Sequence, residues 1–113
     1  MGALFYSLEV LIFMKKIKDL ADGIKDEICD AKKYAECYVD AKVNGNSSMA
    51  TKYKEMANDE LKHAGYLHEF VVAEINKIKS SGIQYPPEME DRWKTVHAEY
   101  VDKAAWVKQM LTL

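Results

Sequence analysis

Glycine, proline and cysteine are scarce in this 113-residue chain, which has five glycines, two prolines and two cysteines. With few helix breakers and abundant alanine, lysine, glutamate and methionine, the composition favours an all-helical protein. Cys29 and Cys37 stand eight residues apart in one predicted helix, or about 12 Å at the helical rise. That separation is too long for a disulfide. We therefore expect two free thiols packed as small side chains in a cytoplasmic protein.

The chain also lacks an excess of charge and a long hydrophobic run. Sixteen Lys and Arg face eighteen Asp and Glu, for a formal charge of -2, and the lysines are scattered. We therefore expect no nucleic-acid partner. The most apolar segment, residues 3–14, is too short to span a bilayer and lacks the features of a secretory signal. We expect a neighbouring helix to bury it, or an oligomer contact; a membrane-surface anchor is the less favoured alternative.

Turn-forming residues divide the chain into three predicted helices within a single domain, residues 1–113. Residues 44–48 and 80–82 combine asparagine, glycine and serine in helix stop and start signals. Pro86 and Pro87 open the last helix. We predict helix 1 at about 3–43, helix 2 at about 47–79 and helix 3 at about 87–111. Asp22-Gly23 either kinks or breaks helix 1, or is accommodated within it.

Long apolar stripes at three- and four-residue spacing run along all three predicted helices. The loop between helices 1 and 2 is short, so these two helices must lie side by side. The pattern predicts an all-α protein that folds as an antiparallel helical bundle. We expect His68 and Glu69 to belong to a solvated face.

Three polar side chains interrupt these stripes where leucine or isoleucine would be expected: Glu27, Glu60 and His63. Burying an isolated carboxylate costs several kcal/mol unless it is paired, protonated or bound to a metal. Glu60 and His63 are three residues apart, so both project from the same face of helix 2. Carboxylate-bridged di-iron bundles use this Glu-x-x-His spacing, with a further Glu from another helix. The three residues are therefore candidate metal ligands.

Two segments around these residues resemble the ferritin-like superfamily, which includes rubrerythrins and encapsulated ferritins. Glu27, with Tyr34 seven residues later, resembles the first ligand helix of these proteins. Residues 58–64 (NDELKHA) resemble the second ligand helix, and the resemblance covers roughly residues 17–80. It implies a ferritin-like helical hairpin followed by a third helix. It also implies iron as the cofactor, Glu27, Glu60 and His63 as ligands, and Tyr34 next to the metal.

The second half of a ferritin-like ligand set is missing from this chain. The stripe of helix 3 contains Trp93, Val96 and Tyr100 but no carboxylate. Two copies of the hairpin would supply the full set, as in encapsulated ferritins, which complete their four-helix site by dimerisation. The resemblance thus implies a homodimer or larger homo-oligomer with a di-iron site between subunits, acting in iron oxidation or oxygen chemistry.

A metal-free protein is the alternative. Glu60 could pair with His63 or a lysine, and Glu27 could lie at the stripe edge and reach water. The chain would then be a small interaction or assembly protein without catalysis, of a type that phages and mobile elements encode. Its protein partner, or another copy, would contact one of two apolar sets: Leu4, Phe5, Leu8, Leu11 and Ile12 near the N-terminus, or Trp93, Tyr100 and Trp106 in helix 3.

Overall fold

The computed structural model describes residues 6–113, which form three long α-helices joined by short turns. Helix α1 comprises Leu8–Val43, α2 comprises Ser47–Ser80 and α3 comprises Pro87–Met110. Residues 6–113 include no strand. The predicted all-α bundle, a helical hairpin followed by a third helix, is confirmed.

Helix α1 begins later than the sequence predicted and continues without a break. The Ser7 hydroxyl accepts a hydrogen bond from the Val10 N–H at 3.3 Å, so Ser7 is the N-cap and Leu8 the first helical residue. The predicted start near residue 3 lies outside the described residues, and Tyr6 and Ser7 are not helical. The helix passes through Gly23, where an added Cβ would lie 3.0 Å from the Leu67 Cδ1. The glycine therefore serves close packing against α2 instead of ending the helix.

The two turns between helices have recognisable stop and start residues. Gly45 and Gly82 adopt positive φ angles of 72° and 73°, a backbone conformation that residues with a Cβ atom rarely adopt. The Asn46 side chain accepts from the Met49 N–H at 3.1 Å and caps α2. Helix α3 starts with Pro87 and has no side-chain cap.

Helix α1 packs closely against both other helices, whereas the backbones of α2 and α3 approach each other at few places. At one end of the bundle the rings of Phe13 and Tyr85 are 5.9 Å apart. At the other end, Lys42 Nζ donates to the Leu113 carbonyl oxygen at 2.8 Å. Helix α3 therefore runs parallel to α1 and antiparallel to α2.

Small residues bring α1 and α2 close together. Ala31 and Ala35 of α1 and Ala57 and Ala64 of α2 are completely buried, and we call these four residues the alanine seam. Larger buried side chains fill the space beside the seam: Ile24, Ile28, Val71 and Val107. Within residues 6–113 no polar or charged side chain is buried. The hairpin thus has a dry, close-packed interior, and polar groups lie along its edges.

Candidate metal centre

Glu27, Glu60 and His63 come together midway along the α1–α2 hairpin. His63 Nδ1 lies 3.7 Å from Glu27 Oε2 and 4.0 Å from Glu60 Oε2. One ligand atom from each residue lies within 4.8 Å of the other two. In the part of the chain that the structure describes, this is the only cluster of three or more histidine, cysteine or acidic residues with such convergence. We call it the carboxylate–histidine triad.

The donor set and its spacing suit a first-row transition metal. Two ligand atoms that each lie about 2.1 Å from one metal can be no more than about 4.2 Å apart. Both distances from His63 Nδ1, 3.7 and 4.0 Å, fall inside this limit, and the three ligand atoms lie within 4.8 Å of one another, so small side-chain rotations would bring all three onto one metal ion. Two carboxylates with one imidazole form the mixed oxygen and nitrogen set found in di-iron bundles. The residues therefore fit the metal that the sequence resemblance implies.

The triad lies at the edge of the core and not inside it, which corrects the expectation of core positions. The Glu27 and Glu60 side chains are 29% and 21% exposed, and that of His63 is 54% exposed. The α-helical hairpin buries alanine and aliphatic residues there instead. Among the described residues, no lysine forms an ion pair with Glu27 or Glu60. No described residue donates a hydrogen bond to either carboxylate. Oxygen lone pairs therefore remain available to a ligand.

The triad points away from α3. Lys32 and His68, each five residues after a triad member, contact α3: Lys32 Nζ lies 5.2 Å from the Trp106 ring, and His68 hydrogen-bonds His97. Five residues turn a helix through about 140° beyond one full turn. Glu27 and His63 therefore lie on the opposite side of the hairpin, which we call the open face.

An apolar stripe accompanies the triad on the open face. Met49, Met56, His63 and Phe70 follow one another at seven-residue intervals, or about two helical turns, so all four lie on one side of α2. Their exposures are 46%, 40% and 54%. We call these three residues the Met–Phe stripe. Large apolar side chains beside a polar cluster are typical of a surface that another molecule covers.

Tyr34 lies two turns from Glu27 and stacks on a second tyrosine. The rings of Tyr34 and Tyr53 are 6.5 Å apart. Tyr53 precedes Glu60 by seven residues, as Tyr34 follows Glu27 by seven, so each tyrosine is about 10.5 Å along its helix axis from its glutamate. Sequence reasoning selected Tyr34 but missed Tyr53, although the mirrored spacing on the two antiparallel helices could have indicated it.

Some of the residues predicted to contact a partner are exposed, and others pack against side chains of the same chain. Leu8, Leu11 and Ile12 are 72%, 50% and 59% exposed, whereas Leu4 and Phe5 lie outside the described residues. Trp106 is 36% exposed beneath Lys32. Trp93 and Tyr100 are half-buried and pack on His68 of the same chain, so neither offers a free contact surface.

His68 is not on a solvated face, as the sequence had suggested. It is half-buried between α2 and α3, and its Nε2 lies 2.8 Å from Nδ1 of His97. Burial, followed by the nearby His97, lowers the pKa of His68 below its ordinary value. The α2 periodicity misplaced this side chain because α3, far along the sequence, covers it.

No helix in residues 6–113 is both apolar and long enough to cross a bilayer.

No curated protein and no solved structure matches the chain significantly. A protein-family model does: the rubrerythrin model matches residues 18–109, which contain the carboxylate–histidine triad, both tyrosines and most of α3. Because this match covers most of the sequence and agrees with the helical hairpin and its carboxylate–histidine triad, the chain belongs to the rubrerythrin family.

Proposed function

We propose that this protein builds a di-iron carboxylate centre between two copies of the chain and uses it in iron oxidation or oxygen chemistry. The observation that carries the proposal is the position of the triad: half of a di-iron ligand set, on the open face of its own bundle. Family membership supports iron as the metal.

A two-fold arrangement of hairpins supplies the missing ligands. Two chains contribute two copies each of Glu27, Glu60 and His63, which is the count that di-iron bundles use. A two-fold contact is self-complementary, so the same surface of each chain must meet its counterpart. The triad and the Met–Phe stripe share one face of α2, and a contact that buries the stripe would therefore bring the two triads together.

The chain's own residues have distinct parts in this site. Glu27 and Glu60 bring two negative charges to a half-buried position, which offsets the charge of bound cations. His63 supplies an imidazole nitrogen beside them. The stacked pair Tyr34 and Tyr53 fills the adjacent part of the hairpin. Bound iron would supply the redox chemistry with oxygen. We expect the alanine seam behind the triad, which is completely buried, to set the spacing of its ligands.

Metal content tests the ligand assignment. After anaerobic loading with ferrous iron and removal of excess metal, we expect about one iron per chain by plasma mass spectrometry. Glu60→Ala and His63→Ala should lose this iron and keep their helical circular dichroism. Glu55→Ala removes an exposed carboxylate from the same helix and should retain it. Stoichiometric iron in Glu60→Ala would contradict the assignment.

Substitutions in the Met–Phe stripe test the subunit arrangement. Phe70→Asp places a charge on the open face without altering a ligand, so dimer and iron should be lost together. Val101→Asp changes an exposed apolar residue of α3 and should affect neither. Light scattering gives the mass of each variant. A Phe70→Asp monomer that still holds one iron per chain would contradict the shared site.

A metal-free wild-type protein would instead favour the interaction or assembly role. The observation behind this second candidate is the exposure of Leu8, Leu11 and Ile12 on the first two turns of α1. These three side chains offer a surface to a protein partner that lies about 22 Å or more along α1 from Glu27.

A further inference from the structure

The two histidines outside the carboxylate–histidine triad meet where α2 faces α3. His68 Nε2 and His97 Nδ1 are 2.8 Å apart, the distance of a direct hydrogen bond between the two rings. A neutral imidazole has one nitrogen that donates and one that accepts, so one ring donates its proton to the bare nitrogen of the other. We call these two residues the histidine pair. Histidine is the side chain whose charge changes near neutral pH, so protonation can alter this contact.

Few other contacts join α2 and α3 along this edge. Their backbones approach each other at few places, and in the described part of the chain the histidine pair makes the only hydrogen bond between the two helices. Lys79 Nζ lies 3.7 Å from Glu90 Oε1, but both side chains are about half exposed, so salt screens this ion pair. The rings of Trp93 and Tyr100 lie 5.2 and 5.0 Å from the His68 ring. The contact between α2 and α3 therefore depends on packing around one titratable hydrogen bond.

We propose that the histidine pair makes the contact between α2 and α3 sensitive to acid, so that protonation of both rings separates the two helices locally while the α1–α2 hairpin stays folded. The number of added protons decides the outcome. After one proton is added, the charged ring donates to the remaining bare nitrogen, and the hydrogen bond persists. After a second proton is added, every ring nitrogen carries a proton, so neither ring can accept. Two positive charges then face each other, and the contact is lost.

The groups around His68 resist the second proton instead of neutralising it. Burial, followed by the charge of His97, lowers the pKa of His68, and Glu69 of the same helix raises it in part. From α3, the Tyr100 phenol stacks on the His68 ring. Lys94, one turn before His97, lines the adjoining cavity between α2 and α3 and adds a positive charge. Among the described residues, α1 contributes no charge that shifts the pKa of His68. Glu69 is the one carboxylate in this group and is exposed, so it compensates a doubly protonated pair poorly.

Separation at this edge leaves the rest of α3 in place. Val96 and Val107 of α3 are buried in clusters that include side chains of α1. Trp93 and Tyr100 are half-buried beside His68, so their rings are the first to gain contact with water. The carboxylate–histidine triad lies on the opposite side of the hairpin, so this response to acid is independent of the proposed iron centre.

Quenching of Trp93 fluorescence by acrylamide tests the proposal, since Trp93 is one of only two tryptophans. The parent protein carries Trp106→Phe and is kept metal-free with chelator. Between about pH 8 and about pH 4.5, we expect the Stern–Volmer constant of Trp93 to rise about twofold or more, with far-ultraviolet circular dichroism unchanged. His68→Gln and His97→Gln should each lose this rise. A glutamine amide both donates and accepts without titrating, so the remaining histidine keeps its partner in either charge state.

His63→Gln is the matched control, because it removes the third histidine of the chain and leaves the histidine pair unchanged. It should show the full rise. His97 is exposed, so its replacement should leave the fold intact, and circular dichroism at neutral pH checks this. A rise that persists in His97→Gln, or that is lost in His63→Gln, would overturn the proposal. So would a parent protein without any rise, or one whose helical signal is lost together with the protection of Trp93.

Discussion

Replacing Glu60 with leucine should stabilise the metal-free protein while removing its response to iron. The Glu60 side chain is only 21% exposed, and its contact with His63 Nδ1 is at 4.0 Å, outside hydrogen-bonding distance. The position therefore holds a largely covered carboxylate that accepts no hydrogen bond from His63. Residues selected for binding often reduce the stability of the fold that holds them.

The size of the effect follows from burial. Full burial of a leucine side chain stabilises a fold by about 1.5–3 kcal/mol. Because the Glu60 side chain is 21% exposed, about four-fifths of that free energy applies at this position. The two methylenes of glutamate already supply about 0.8 kcal/mol each when buried, so the gain in apolar burial is at most about 1 kcal/mol. We expect Glu60→Leu to raise the free energy of unfolding by about 1 kcal/mol and the melting temperature by about 4 °C.

Thermal and urea unfolding, followed by circular dichroism at 222 nm, would measure this change in chelator and again with ferrous iron under anaerobic conditions. Iron should raise the melting temperature of the wild type and not that of Glu60→Leu. Glu55→Leu makes the same replacement at an exposed position of α2 and should change the metal-free stability little. A loss of 1 kcal/mol or more in metal-free Glu60→Leu would show that the carboxylate stabilises the fold, and would refute this reasoning.

Two further predictions concern the packing around the sites. Burial and the nearby His97 lower the pKa of His68 in the folded chain, and Glu69 opposes them in part. As pH falls below about 6.5, His68 therefore binds a proton in the unfolded chain before it does so in the folded chain. Stability should therefore decrease with falling pH until the lowered pKa is passed, and urea midpoints of His68→Gln should lack this part of the slope. Ala57→Leu should overpack the alanine seam, cost about 1–3 kcal/mol and reduce iron content without altering a ligand. Ala73→Leu, at an exposed position, is its control, and equal iron content in both variants would contradict the role of the seam.

The helices and the carboxylate–histidine triad could be predicted from the sequence because both depend on local spacing. Asn46, Gly45 and Pro87 act at helix ends through their own backbone preferences, so the α2 and α3 boundaries could be placed closely. Glu60 and His63 share a face by helical geometry alone. A short turn then fixes α2 against α1, which brings Glu27 within reach.

Features that depend on contacts between residues far apart in the sequence could not be predicted from local spacing. Which side of the hairpin α3 covers is decided by side-chain packing, and this choice makes His68 half-buried and leaves Phe70 exposed. The start of α1 was misplaced because apolar residues continue before Leu8, while the Ser7 hydroxyl sets the boundary. The periodic pattern is equally compatible with a core or an edge position for Glu27, and only the packed hairpin distinguishes them.

The length of α1 has a hydrodynamic consequence. At 36 residues the helix is about 54 Å long, and the molecule measures 64 × 24 × 17 Å. Its radius of gyration is 18.0 Å, against about 13 Å for a compact chain of the same length. Such a rod diffuses slowly for its mass, so a monomer would elute early from a gel-filtration column and could be mistaken for a dimer. Subunit association is therefore better followed by light scattering or sedimentation equilibrium, whose masses do not depend on shape.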